Sequence, residues 1–179
     1  MTAAVTIRRY IDVAPSAKLR DEIDAIFFDA SNTKSFDSDA ARSAFRERWL
    51  GRYLSHYPQF AYLAIAASGV VVGYLVGSVD DPALDSRFTD IGYFATFREL
   101  TKAFPAHLHV NLAPAFRNKG IGGRLIDAFI VDAKQDGAPG VHAVTSATAE
   151  NVRFYNRNGF VELGRTGNSD AIVFLGRVT

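Results

Sequence analysis

Eight residues, Arg117-Asn118-Lys119-Gly120-Ile121-Gly122-Gly123-Arg124, narrow the folds open to this chain more than any other stretch. They lie between an apolar extended run that ends at Leu112 and a helical pattern that begins at about Ile121. A strand that runs through a basic, glycine-rich turn into a helix makes a place to hold an anion. The first backbone N–H groups of a helix have no intrahelical partner and carry partial positive charge, and residues without a Cβ let a ligand approach them closely. Arg117, Lys119 and Arg124 add full charges around the same point.

The spacing selects among phosphate ligands. A Walker loop needs G-x-x-x-x-G-K-[ST], which does not occur here, and a dinucleotide fingerprint needs a glycine where Gly120-Ile121-Gly122-Gly123-Arg124-Leu125 has Leu125. What remains is R-x-x-G-x-G followed by Gly123, after a strand ending Leu112-Ala113-Pro114. It resembles the acyl-CoA pyrophosphate loop of the GCN5-related N-acetyltransferases.

Other classes are excluded by composition. With 179 residues, 48% of them hydrophobic and 22% charged, the chain reads as one ordinary globular domain, 1–179, with enough length to bury a core unaided. The formal net charge of +1 and the absence of any long run of one sign argue against a nucleic-acid surface. There is no cysteine, so no disulfide, thiolate metal site or cysteinyl acyl intermediate is available in this chain. No stretch approaches the length of an apolar membrane span and the N-terminus has no leader pattern, so a cytoplasmic protein without membrane contact is expected.

Taken in order, Val5, Ile7 and Tyr10-Ile11 alternate as a half-buried strand would. Pro15-Ser16 opens a helix with Leu19, Ile23, Ile26 and Phe27 on one stripe, ending near Ala30. Ser38 is the expected N-cap of a second helix, to about Tyr53, in which Phe45, Trp49 and Tyr53 recur by four; core packing is the expected use of that stripe. Strands Phe60 to Ala66 and Val70 to Val79 flank a hairpin turn with Gly69. The stretch from Asp80 to Pro105 mixes aromatics with charges and is helical only around Tyr93 to Lys102; a rim for a substrate site and a cover over one sheet face fit it equally. Ala106 to Ala113 is a strand with Leu108, Val110 and Leu112 on one face and His107, His109 and Asn111 on the other. A helix from Gly120 to about Lys134 follows, then a strand at Val141 to Thr145, a short helix Val152 to Asn158 closed by Gly159, and an antiparallel pair, Phe160 to Leu163 and Ala171 to Leu175. The order predicts an α+β fold with a mixed sheet of about seven strands, about four helices, and a long insert before the motif-bearing strand.

A second motif strengthens the resemblance. Asn151-Val-Arg-Phe154-Tyr155-Asn-Arg-Asn-Gly159-Phe160 is similar to the segment that closes the acyltransferase site in the same superfamily, and it follows the first motif in the family's order, with a helix and a strand between. Within the superfamily, Pro105-Ala106-His107-Leu108-His109-Val110 and Pro139-Gly140-Val141-His142 look most like bacterial relatives of the acetyltransferase-like domain of O-GlcNAcase.

An acyl-CoA needs an anion loop for its pyrophosphate, a strand edge for the amides of its pantetheine arm, and a proton donor near sulfur. Asn118 to Arg124 can supply the first, including the amides of Ile121, Gly122 and Gly123, with Arg117 and Arg124 as charge-assisted partners. Main-chain groups of Val110, Asn111 and Leu112 can supply the second. The resemblance implies that this strand is splayed from the strand at Val141 to Thr145, that Asn151 and Phe154 stand by the cofactor, and that Tyr155 protonates the departing thiolate. By residue type alone a core tyrosine is the commoner use of Tyr155, and Asn151 is an N-cap as readily as a pantetheine contact, or both. For a general base the candidates are His107 and His109, with Glu150 behind them. No metal site is expected, since that pair lacks a clear third ligand.

The expected activity is direct transfer of an acetyl group from acetyl-CoA, a co-substrate, to a primary amine on a small molecule or peptide, in a monomer or homodimer. The alternative, favoured by the O-GlcNAcase-like strings, is a non-catalytic acetyl-CoA-binding (pseudo-acetyltransferase) or protein-recognition module.

Overall fold

The structure, a computed structural model, describes residues 4–179. It has an α+β fold around one mixed seven-stranded sheet of order β1-β2-β3-β4-β5-β7-β6: β1 (Val5–Arg9), β2 (Ala61–Ala66), β3 (Val71–Ser78), β4 (Ala106–Leu112), β5 (Gly140–Ser146), β6 (Val161–Thr166) and β7 (Ile172–Val178). The pairs β1–β2, β2–β3, β5–β7 and β6–β7 are antiparallel, and β4 and β5 run parallel. The main helices are α1 (Ala17–Ala30), α2 (Asp39–Arg46), α3 (Arg52–His56), α4 (Gly92–Thr96), α5 (Arg98–Thr101), α6 (Ile121–Gln135) and α7 (Ala149–Arg157). Residue contacts group the chain into two compact units: the chain up to Gly77 with His109–Phe129, and Ser78–Leu108 with Ile130–Thr179.

In the first unit the expected caps form. Ser16 Oγ accepts from the Leu19 N–H at 3.0 Å and Ser38 Oγ from the Ala41 N–H at 3.1 Å, each satisfying a donor that a helix start leaves open. Leu19, Ile23, Ile26 and Phe27 of α1 are buried at helical spacing. Arg46 at the end of α2 reaches back to Asp24 of α1 through Nε, 2.8 and 2.7 Å from the two carboxylate oxygens. The continuous second helix expected to Tyr53 is interrupted here, because Glu47–Gly51 is a π-helical turn joining α2 to α3. A Cβ at Gly51 would meet the flexible end of the Glu47 side chain, which lies along this turn. The extra residue per turn splits the aromatic stripe. Phe45 packs with Phe27 and Phe36, whereas Trp49 and Tyr53 pack against His109.

The first half of α6 buries Ile121, Leu125, Ile126 and Phe129, and Phe129 meets Phe60 and Tyr62 edge-on. A Cβ on Gly73 of β3 would collide with the Leu112 side chain and stand 3.1 Å from the Asn111 carbonyl oxygen of β4. Glycine at this position therefore sets how close β3 comes to the strand that carries the site.

In the second unit, the stretch from Asp80 to Pro105 proves to be a cover. Phe88, Ile91, Phe94, Phe97 and Thr101 are buried, and Phe97 and Phe104 pack on Phe174 of β7. β5 and β7 pair from Gly140↔Val178 to Ser146↔Ile172. α7 ends as Gly159 requires: its φ is +80°, the Gly159 N–H donates to Asn156 O and the Phe160 N–H to Tyr155 O, a Schellman closure.

Replacing Gly73 by alanine should lower stability by roughly 1–3 kcal/mol, the usual cost of forcing atoms into a packed interior. A urea unfolding midpoint unchanged from wild type would contradict the close β3–β4 approach.

Candidate functional site

The glycine-rich turn takes the shape that its residues allow. Two of its members stand in the left-handed region, Asn118 at φ +58° and Gly120 at φ +76°. Alternation of this kind turns successive N–H groups toward one side, a concave arrangement suited to an anion. The Arg124 N–H donates to Gly120 O at 3.2 Å, so the amides of Ile121, Gly122 and Gly123 precede that first bond into α6. Space above Gly120 is open, with nothing within 4 Å of where a Cβ would stand. The donor set and the open approach fit a pyrophosphate.

The arginines depart from the role expected of them. Arg117 Nε donates to Leu112 O at 3.0 Å and its other end meets Asp29 at 3.3 Å, while Arg124 donates to Val5 O at 2.9 Å. Each guanidinium gives one of its five donors to a main-chain carbonyl, so Arg117 and Arg124 brace the turn against β4 and β1 and keep their charge beside it. Lys119 is exposed, with its ammonium 5.3 Å from the centre of the Phe116 ring.

β4 changes character along its length. Ala106, His107 and Leu108 are buried and His109 to Leu112 half-buried. In β4, Ala106 pairs with Val141 and His107 with His142 of β5. Val110, Asn111 and Leu112 thus lie on the more open half of the strand. Asn111 Nδ2 donates to the Tyr74 hydroxyl at 2.8 Å, which fixes its side chain and leaves its main chain as the part available to a ligand.

His109 sits in an aromatic bracket. Its Nε2 is 3.2 Å from the Tyr53 hydroxyl, and the rings of Tyr53 and Trp49 stand near-perpendicular to it, 5.3 and 5.6 Å away. Burial, and after it the Arg52 charge, lower the imidazole to about 4. It is therefore neutral at physiological pH and able to accept a proton. Trp49, Tyr53 and Tyr74 were not expected to touch this strand. The stripe of 45, 49 and 53 was visible in the sequence, but only the π turn decides that its last two members turn toward a histidine.

His107 lies apart from solvent. It is 2% exposed, walled by Phe88 and Phe94, and its ring stacks on His142 at 5.5 Å, which in turn stacks on Phe174 at 4.5 Å. A general base must reach its substrate, so His107 is corrected to a core histidine; burying it beneath the insert is what separates it from His109. The strings Pro105–Val110 and Pro139–His142 meet in this stack.

Tyr155, 8% exposed, packs against Phe154 and Phe160, and burial pushes its phenol well above the usual tyrosine range. A phenol held protonated at every working pH suits an acid. Asn151 is not the N-cap. That place is taken by Thr148, and the Asn151 amide donates to Thr145 Oγ1 at 2.9 Å, tying α7 to β5. Phe154 is half-buried and Glu150 exposed. Among the described residues, no group of three or more His, Asp or Glu stands where it could hold a metal, and no helix is long and apolar enough to cross a membrane.

Residues 17–160 match the model of the acetyltransferase (GNAT) family. The chain belongs to that family. Solved structures with the same GNAT fold include SsHAT, at 20% identity and a TM-score of 0.74, with 98% of each chain covered. Another is yncA of Salmonella typhimurium with its cofactor acetyl-CoA, at 22% identity and a TM-score of 0.61, covering 98% of this chain and 94% of that one. A third is an agmatine N-acetyltransferase in its apo form, at 12% identity and a TM-score of 0.65, covering 98% and 99%. At these identities the likeness is one of fold, and the GNAT assignment itself rests on the family match.

Because its imidazole is lowered, His109 binds fewer protons in the folded than in the unfolded chain between pH 6.5 and about 4. Its contribution to stability is full above that window and is lost as pH falls through it. A proton NMR titration should give His109 a midpoint near 4, well below the ordinary histidine value of 6.5. A midpoint near 6.5 would contradict the buried bracket.

Proposed function

We propose that this GNAT chain, as a single domain, transfers an acetyl group from acetyl-CoA to a primary amine by direct attack within a ternary complex. The observation that carries this reading is the turn at Asn118 to Gly123, whose left-handed residues and open glycine fit the pyrophosphate loop of the family. The amides of Ile121, Gly122 and Gly123 bind the pyrophosphate, with Lys119 and the braced Arg117 and Arg124 adding charge. The main chain of Val110 to Leu112 holds the pantetheine arm, and Asn151 and Phe154 are cofactor contacts by their place in the family's second motif. Backbone N–H groups of the Asn111 strand stabilise the oxyanion.

Two groups on this chain handle protons. His109, neutral at working pH, takes a proton from the attacking nitrogen. As the carbon–sulfur bond breaks, Tyr155 gives its phenolic proton to sulfur and recovers one from solvent. Carbon gains the new bond to nitrogen in the same sequence, and no redox partner is needed.

The fold relatives support small amines and peptides as acceptor classes: one is an agmatine N-acetyltransferase, another the NatC complex bound to Gag peptide and CoA. The narrower kinship with the O-GlcNAcase-associated domain rests on the two strings that meet at His107 and His142. These build core, and so give the non-catalytic alternative no separate support.

Replacing Tyr155 by phenylalanine should cut turnover at saturating acetyl-CoA about a hundredfold, the usual contribution of a general acid, with little change in KM. Unchanged turnover would overturn the role given to Tyr155.

A further inference from the structure

The Tyr53–His109 contact carries an inference that the family match does not supply. Tyr53 is fully buried, so its hydroxyl cannot meet a substrate, yet it stands 3.2 Å from Nε2 of the half-buried His109. One imidazole nitrogen is therefore occupied from the interior. The ring's orientation is fixed by three elements: the Tyr53 hydroxyl on α3, the Trp49 ring on the π turn, and β4 itself. Trp49 lies on the π turn and Tyr53 on the helix that follows it directly, so both aromatic contacts come from this joint between α2 and α3.

We infer that Tyr53 is a positioning residue for acyl transfer: its hydroxyl oxygen accepts the Nε2–H of His109, selecting the tautomer whose Nδ1 lone pair is free to accept a proton from the acceptor amine. The two ring nitrogens of a neutral histidine are never both acceptors, and the partner of one decides what the other can do. If Tyr53 donated to Nε2 instead, Nδ1 would carry the proton and the ring would have nothing to offer an incoming amine. The groups facing the imidazole are Tyr53 and Arg52 on α3 and Trp49 on the π turn; of these only Arg52 is charged, and it further disfavours the imidazolium. The π turn thereby has a use, since it brings a buried hydroxyl and an indole to one histidine from consecutive turns.

The proposal rests on the acyltransferase reading for its kinetic consequence but not for its spectroscopic one, so the two can fail separately. Tyr53→Phe keeps the ring and removes only the oxygen. In nitrogen-15 NMR of histidine-labelled protein at pH 7, wild-type His109 should show the Nε2–H tautomer alone and Tyr53→Phe a mixture of both. With an amine found by thiol release, Tyr53→Phe should lower kcat roughly tenfold at unchanged KM for acetyl-CoA, and should cause no further loss in a His109→Gln background. Additive losses in the double variant, or a His109 signal that Tyr53→Phe leaves unmoved, would overturn it, as would a wild-type ring protonated on Nδ1. Should no amine tested cause thiol release while the tautomer still shifts, the tautomer assignment stands, and the acyltransferase reading falls together with the kinetic role given to Tyr53.

Discussion

The arrangement of the first unit depends on one backbone constraint: between β4 and α6 the chain must reverse in a few residues and leave the first amides of α6 facing outward. Left-handed backbone at Asn118 and Gly120 meets that constraint. Glycine adopts it without penalty, and asparagine is among the few other residues that tolerate it. Once the turn is set, Arg117 ties it to the end of β4 through Leu112 O, and Arg124 ties the first turn of α6 to β1 through Val5 O. Basic side chains that look from the sequence like ligands thus also serve as braces.

A second constraint shapes the other face of β4. Along this strand His107 and His109 point the same way by alternation, yet they end in different surroundings. His107 lies under the insert, against Phe88, Phe94 and His142, whereas His109 lies against Trp49 and Tyr53. Two residues of separation decide which is core and which is available for chemistry. The insert from Asp80 to Pro105, with its aromatics buried, is what makes the difference.

Much of this was legible in the sequence, because local signals agreed with the final fold. Apolar alternation located the strands, Ser16 and Ser38 marked the helix starts, and Gly159 marked an end. What stayed hidden depends on contacts between residues distant in the chain. Sequence cannot show that Arg117 would find Leu112 O and Asp29, because both the carbonyl and the carboxylate are only brought near by the fold. Nor could it show the π turn at Glu47–Gly51, since a run spaced by four looks the same whether or not one turn takes an extra residue. Asn151 was misread as a possible cap because a helix start is least certain where several polar residues, Thr148 to Asn151, could each begin it.

The central claim is that main-chain amides at the start of α6 hold acetyl-CoA. The most direct test is calorimetric titration of acetyl-CoA into wild-type protein and into Gly120→Val, which places a β-branched residue at φ +76° where L side chains are strained. The account predicts binding by the wild type and an affinity loss of roughly tenfold or more in the variant, the equivalent of about 1.4 kcal/mol. Equal affinities, or no binding by the wild type, would contradict it.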